Sequence, residues 1–526
     1  MKLSSTYLYL LMIILIIGGT FRLTSLDLRP MHTDEAVHAI KFGALLEKWE
    51  YIYDKNEYHG PVLNYLTLIP AYIQGEHNLV DIDEVTLRLV PAIIGLFLLL
   101  IPLWLFKQKD WKVALPAVLL LAVSPAMVFY SRYYIMEILL VFFTYGFIAS
   151  CYGYLKTLKM QWAFLAGIFL GLMHATKETW IISVVAMIVA GLILFYSNMK
   201  GNKSGNNVRL IKKKHIILSL IIAVFVSITF YSSFYTNPQG VIDSFTTYTI
   251  YYFRAGQSHV HDHPWGYYFN LLTWNTGPGN IIWSELFIVL LAISGFIGLL
   301  RRKAHEEKFY RLLLFIGLYS LILTLIYSFL PYKTPWNLLQ FYCGYIILAG
   351  YGFLIIWRII ADLKWKIVII IIISGGFLHL IWQSWAGSFE YYAEPENPYV
   401  YGHTSNDIKL VHEFVDKVAS IHPEGQNMFI EIVFPGSDYW PLPWYLREYP
   451  NIGWWNHVDF NVPAAPLVIA SPEVEEDLLR KWFETPAPGY KTLYMPLFNE
   501  YITLRPGVEL RGYLSKETWD KLQVHQ

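Results

Sequence analysis

Long apolar runs alternate with short polar ones along most of this chain. About eleven of the runs approach the ~20 residues that a helix needs to cross a bilayer. Their approximate cores are 7–21, 85–106, 113–129, 135–155, 162–175 and 179–196, then 216–235, 281–300, 309–330, 338–357 and 367–385. The pair flanking Thr176 also reads as one broken unit. The run at 7–21 is followed by Arg22 and a polar loop rather than by a small-residue cleavage site, so it reads as a retained span.

The polar stretches between the runs are of two kinds. Basic residues collect in alternate loops: Lys107, Lys109 and Lys112; Lys156 and Lys159; Lys200 to Lys214; Arg301, Arg302 and Lys303; and Arg358, Lys364 and Lys366. If the spans alternate, all five of these loops fall on one side, which the positive-inside rule makes cytoplasmic. The loop 24–84 and everything after Trp385 then lie outside. Within that first loop, residues 36–49 are amphipathic, with Val37, Ile40, Leu45 and Trp49 apolar. This pattern suits a helix lying on the membrane surface, and a soluble core helix shares it. The outer segment 236–280 is rich in Tyr, His, Trp and Gly, as an interfacial aromatic belt or a sugar-stacking surface would be.

After Trp385 the pattern changes. Short β-type runs at 427–434, 466–470 and 490–495 are separated by helical patterns at 406–420 and 473–483. The expected fold is therefore a polytopic α-helical membrane protein, residues 1–385, carrying a C-terminal extracytoplasmic α/β domain, residues 386–526. The aromatic run 440–447 reads as a packed core segment, with a surface toward membrane or glycan as the alternative.

Composition agrees with the pattern. The chain has 526 residues, 55% of them hydrophobic and 15% charged, and its mean hydropathy is +0.39. A soluble chain carries roughly 25% charged residues. A net charge of +0 excludes bulk electrostatic binding of nucleic acid. Cys151 and Cys343 both fall in apolar runs, which suggests neither a disulfide framework nor a thiolate metal site.

Candidate chemistry collects on the outer side. Asp34 and Glu35 are adjacent carboxylates placed just after the first span, where a carboxylate can serve as general base toward a hydroxyl or amine. Placement at a helix N-terminus, close to the dipole, is the plain alternative. Charges near span ends on this side are Arg88, Arg132, Glu137, the pair Lys177-Glu178, Arg254 and Lys333. A single such cation serves as an interfacial anchor, and Lys177-Glu178 also reads as a simple ion pair. Five cations around one rim, with few inside the spans, are better explained by an anionic ligand at the outer leaflet. His259, His261 and His263 alternate, so an extended backbone projects them to one side, where they can bind a divalent metal or make ordinary loop hydrogen bonds. His59, before Gly60-Pro61, would complete that set if the loops met.

In order and sidedness, these motifs resemble the GT-C glycosyltransferases that use polyprenyl-phosphate sugars, the branch of protein O-mannosyltransferases and aminoarabinose transferases. The likeness covers the membrane region. It rests on Asp34-Glu35, on His59-Gly60-Pro61-Val62-Leu63, on Arg88, and on the stretch from Ser124-Pro125 through Ser131-Arg132 to Glu137. Thr176-Lys177-Glu178-Thr179, Tyr332-Lys333-Thr334-Pro335-Trp336 and the run 440–447 are similar to a narrower bacterial and archaeal set. The resemblance implies Asp34 as catalytic base with Glu35 as helper, and Arg132 on the lipid phosphate. Gly60-Pro61 stands where the family often has Pro-Pro, and His59 where some relatives have lysine.

The activity implied is an inverting transfer, at the plasma (inner) membrane, of a sugar from a polyprenyl phosphate to an extracytoplasmic lipid, glycan or protein acceptor. Lys177, Lys333 or Arg254 would assist Arg132 with the leaving phosphate. No nucleotide site is required, and no Gly-rich nucleotide-binding loop is present in the sequence. A lipid-linked-glycan flippase would explain the spans and rim charges and predicts paired halves, of which the sequence shows no clear sign. A catalytically inactive glycan-binding subunit is the third reading.

Overall fold

The computed structural model describes residues 5–56, 59–106, 110–201, 211–254, 261–277, 281–301, 308–360, 362–487, 489, 491–498 and 500–524. Among them, eight helices are long and apolar enough to cross a membrane. They are Ser5–Leu23, Glu84–Leu105, Glu137–Thr157, Trp180–Ser197, Lys213–Tyr231, Phe309–Phe329, Pro335–Ile359 and Leu363–Glu390. Three shorter apolar helices, Trp111–Val123, Met160–His174 and Leu286–Leu300, lie in sequence between them. These helices make the chain a multi-pass membrane protein. Several are apolar all round and mostly unburied: only 17% of the best window of Lys213–Tyr231 and of Leu363–Glu390 is buried. Such a surface needs lipid rather than water around it.

Helix ends that flank four of the five basic loops meet one another. At one end, Phe106 packs on Phe309 and Trp104 on Trp162, and the Tyr154 hydroxyl accepts from the Lys212 amide. These residues flank the basic loops. At the other end, Arg132 donates to the carbonyls of Phe21, Thr24 and Ser25 at 2.7–2.9 Å. There too, Ser384 donates to the Val123 carbonyl. Two of the arginines near this end act on helix C-termini. Arg132 serves the carbonyls that end Ser5–Leu23, and buried Arg22 serves Leu121 and Ala122 at the end of Trp111–Val123. A cation there satisfies unpaired carbonyls and opposes the negative end of the dipole.

Differences from the expected spans have local causes. The run 113–129 breaks at Ser124-Pro125: Ser124 is the C-cap of one helix and the N-cap of the next, Pro125–Tyr130, accepting from the Met127 amide. The run 281–300 starts with a two-stranded antiparallel hairpin, β1 (Asn275–Thr276) and β2 (Ile282–Trp283), and becomes helical only at Leu286.

The chain divides into two compact units. One comprises Met1–Leu26, Lys48–Gly75 and Val85–Tyr401; the other comprises Asp27–Glu47, Glu76–Glu84 and Gly402–Gln526. The second unit holds a six-stranded mixed sheet of β3 (Ile430–Val433), β4 (Ile452–Trp455), β5 (Leu467–Ala470), β6 (Tyr494–Pro496), β7 (Ile502–Arg505) and β8 (Val508–Ser515), in the order β4-β3-β5-β8-β6 with β7 on β8. β3 is parallel to β4 and β5, and β8 is antiparallel to β5, β6 and β7. β3 and β5 are buried on both faces, as central strands of such a sheet are. The sheet's core gathers Val433, Val468, Val474, Leu478 and Trp482. The amphipathic helix Asp407–Ile421 buries Ile408, Val411, Val415 and Val418 on one face.

This unit also takes in both legs of the loop 24–84. The helix Thr33–Lys48 has Ala36, Ala39 and Phe42 fully buried, and Gly43 lies against Leu79, so its apolar face packs on protein, not on lipid as its location suggested. The run 440–447 supplies the clasp. The Met31 amide donates to Tyr445 Oη, Trp444 Nε1 to Glu84, and Arg447 to the carbonyls of Leu79 and Ile82 while stacking on Trp444.

Candidate functional site

In the second unit, the acidic pair sits in the first turn of Thr33–Lys48. The Ala36 amide bonds to the His32 carbonyl at 2.9 Å, which makes His32 the N-cap. His32 Nδ1 accepts from the Asp34 amide at 3.1 Å, and Glu35 reaches back to the His32 amide at 2.9 Å. That is the reciprocal arrangement of a capping box, with histidine in place of serine. The Glu35 carboxylate is wholly buried and takes both Arg29 nitrogens, at 2.9 and 3.0 Å. Asp34 differs: its side chain is 48% exposed, with Oδ2 3.9 Å from His32 Nδ1. The turn thus fixes one carboxylate and leaves its neighbour presented. His403 adjoins the same group. Burial, with the charges of His32 and Arg29, lowers its pKa to about 4.

In the membrane unit, four expected site residues meet at the break between Met160–His174 and Trp180–Gly201. Lys177 and Glu178 do not pair with one another. Lys177 Nζ donates to Glu137 Oε1, and Glu178 accepts Tyr53 Oη at 3.0 Å and lies 2.7 Å from His59 Nδ1. Burial raises the Glu178 carboxyl, but the His59 charge and hydrogen bond, with that of Tyr53, outweigh it and hold it below its ordinary value. Gly60 permits this docking. A Cβ there would stand 2.2 Å from the Ala175 carbonyl oxygen, which also accepts from the Val62 amide. Beside the Lys177–Glu137 pair is a small hollow lined also by Thr179, Tyr327, Trp336 and Gln340.

The remaining expected residues lie elsewhere in this unit. Arg88 is fully buried and donates to the Leu26 carbonyl at 2.6 Å. Arg132 stacks on Phe389, with its donors on the three carbonyls named above. Lys333 donates to the carbonyls of His263 and Leu330 at 2.8 and 2.5 Å. The side chain of Arg254, and His259 entirely, lie outside the described residues. Residues 261–263 run antiparallel to 331–333, bridged at Asp262 and Tyr332. His261 Nδ1 and His263 Nε2 lie 2.6 and 3.1 Å from one Tyr401 hydroxyl. Among the described residues, no group of three or more His, Cys, Asp or Glu is placed to hold a metal ion.

Two residues at this end of the bundle carried no motif. Glu285 is fully buried and accepts from Ser124 Oγ, the Ala126 amide, Tyr342 Oη and Tyr399 Oη at 2.5–2.9 Å. Gln340 is buried beside the hollow. The only sequence signal for either was a polar residue near the start of an apolar run.

Residues 64–238 match the family model described as dolichyl-phosphate-mannose-protein mannosyltransferase. No curated protein matches the chain. Among solved structures, it is similar to ArnT from Cupriavidus metallidurans bound to undecaprenyl phosphate, at 12% identity and a TM-score of 0.63, over 97% of this chain and 98% of that one. The apo state of the same protein gives 12% identity and a TM-score of 0.61, over 97% and 98%. The oligosaccharyltransferase AglB from Archaeoglobus fulgidus, in complex with an inhibitory peptide and a dolichol-phosphate, gives 12% identity and a TM-score of 0.53, over 90% of this chain and 70% of that one. At such identities the likeness is one of fold.

Proposed function

We propose that this chain is an integral-membrane inverting glycosyltransferase that moves a sugar from a polyprenyl-phosphate donor to an extracytoplasmic lipid, glycan or protein. The observation that carries the reading is the convergence of His59, Glu137, Lys177 and Glu178 from three separate segments at one end of the helix bundle. Three of the four lie in the stretch that matches the mannosyltransferase family model. The fold is one whose solved examples were captured with undecaprenyl phosphate and with dolichol-phosphate.

In this reading the three shorter apolar helices complete eleven spans of the inner membrane, the end bearing Glu178 is outside, and the α/β unit that holds residues 402–526 is extracytoplasmic. Asp34 is the general base. It takes the proton of the acceptor O–H or N–H as that atom attacks the anomeric carbon. The C1–O bond to phosphate breaks on the opposite face, which inverts the configuration. Glu35 helps by fixing the turn through Arg29 and the His32 amide. Arg132, Arg88 and Lys333 favour the leaving phosphate mainly through their field, since carbonyls already take several of their N–H donors.

The test is incubation of purified full-length protein in lipid nanodiscs with radiolabelled polyprenyl-phosphate mannose and a mixed acceptor pool. Transfer with inversion supports the proposal. Scrambling of intact labelled donor across proteoliposomes, with no bond cleaved under any acceptor condition, overturns it in favour of a flippase.

A further inference from the structure

We infer that the hollow beside the Lys177–Glu137 pair binds a single neutral hydroxyl of the donor sugar and that Gln340 sets the specificity for it. The inference rests on the transferase reading above. The hollow has room for about one water molecule or one hydroxyl. Two of its lining side chains are buried and incompletely paired. Among the described residues, Glu137 Oε2 finds no hydrogen-bond partner, and neither do Gln340 Oε1 and Nε2, although the two residues are 6% and 4% exposed. Buried polar atoms left unpaired are rare and costly, so a ligand group or an ordered water belongs there.

The chemistry of the lining selects the group. Lys177 is already paired with Glu137, so the pair adds no net positive charge, and the second Glu137 oxygen is an acceptor. A phosphate oxyanion would face that carboxylate at close range and be repelled. A hydroxyl both donates and accepts, so it can give its proton to a carboxylate or carboxamide oxygen and accept from Gln340 Nε2. The Trp336 ring in the wall suits the C–H face of a sugar. The position selects the donor. A lipid-linked sugar stays at the outer ends of the spans, where Glu137 and Gln340 open their helices, whereas an acceptor arrives from outside.

The experiment measures equilibrium binding and kcat/KM of the full-length protein in nanodiscs for short-chain polyprenyl-phosphate mannose and each of its mono-deoxy analogues. Wild type is expected to lose about 10- to 100-fold at one deoxy position and little at the others, the range for a buried polar group left unpaired. Gln340→Leu should bind the parent donor more weakly by a similar factor and no longer discriminate at that position. If wild type treats every deoxy analogue like the parent, the hollow holds water only and the inference fails. Discrimination that survives unchanged in folded Gln340→Leu also overturns it. Selective donor binding without transfer would leave the hydroxyl site standing and remove the transferase reading, so the two failures are distinguishable.

Discussion

Replacing Glu35 by Gln separates its role from that of Asp34. The wild-type carboxylate is fully buried and holds both Arg29 nitrogens and the His32 amide within 3.0 Å. Gln keeps the shape but removes the charge, and turns an N–H donor toward the guanidinium. Arg29, 8% exposed, then meets a neutral amide where the Glu35 carboxylate stood. Removing one partner of such a pair costs about 3–5 kcal/mol. The surviving amide oxygen keeps the bond to His32, so the lower end, about 3 kcal/mol, is expected. That is a large share of the ~5–15 kcal/mol that holds a typical domain together. The assay is denaturant unfolding of the nanodisc-embedded protein, followed by fluorescence of the tryptophans in the second unit. The double variant Arg29→Met/Glu35→Leu should recover most of the loss, since a buried pair replaced by apolar side chains is often neutral. Loss of less than about 1 kcal/mol in Glu35→Gln would refute the structural role. So would full stability with abolished turnover, which would make Glu35 a chemical participant.

Other expected outcomes follow from the same geometry. Gly60→Ala places a methyl 2.2 Å from the Ala175 carbonyl oxygen and should destabilise the membrane unit by about 2–4 kcal/mol, read as a lower thermal midpoint in nanodiscs. Lys177→Met alone should cost about 3 kcal/mol by leaving Glu137 buried and unpaired, while Lys177→Met/Glu137→Leu recovers most of it in the same assay. The His403 pKa is lowered from 6.5 to about 4. The unfolded chain therefore takes up that proton first, and stability falls as pH drops from 6.5 toward 4. His403→Gln should flatten this part of the stability–pH curve.

What the sequence disclosed and what it hid follow from the range of the interactions. The basic loops depend only on local composition, and residues flanking four of the five do meet at one end of the bundle. The strands at 430–433 and 467–470 were legible because they are short, apolar and β-branched. β4, with Gly453 under the Trp455 ring, reads as an aromatic loop, and β8 is interrupted by Glu509, Arg511 and Gly512. Pairing across the chain was the least visible part. Lys177 passes over its neighbour Glu178 for Glu137, forty residues away. The clasp at 440–447 reaches residues more than 350 positions earlier. Gln340 went unnoticed because nothing beside it in the sequence says that its amide is buried and finds no partner among the described residues.

The account's central claim, that the half-exposed Asp34 carboxylate is the base, is tested most directly by Asp34→Asn. With Oδ2 3.9 Å from His32 and 48% of the side chain exposed, the substitution should change stability by no more than about 0.5 kcal/mol. It should leave the affinity for labelled polyprenyl-phosphate mannose within about twofold and lower single-turnover sugar transfer by at least about 100-fold. Transfer at the wild-type rate by a folded, donor-binding Asp34→Asn protein would contradict the account.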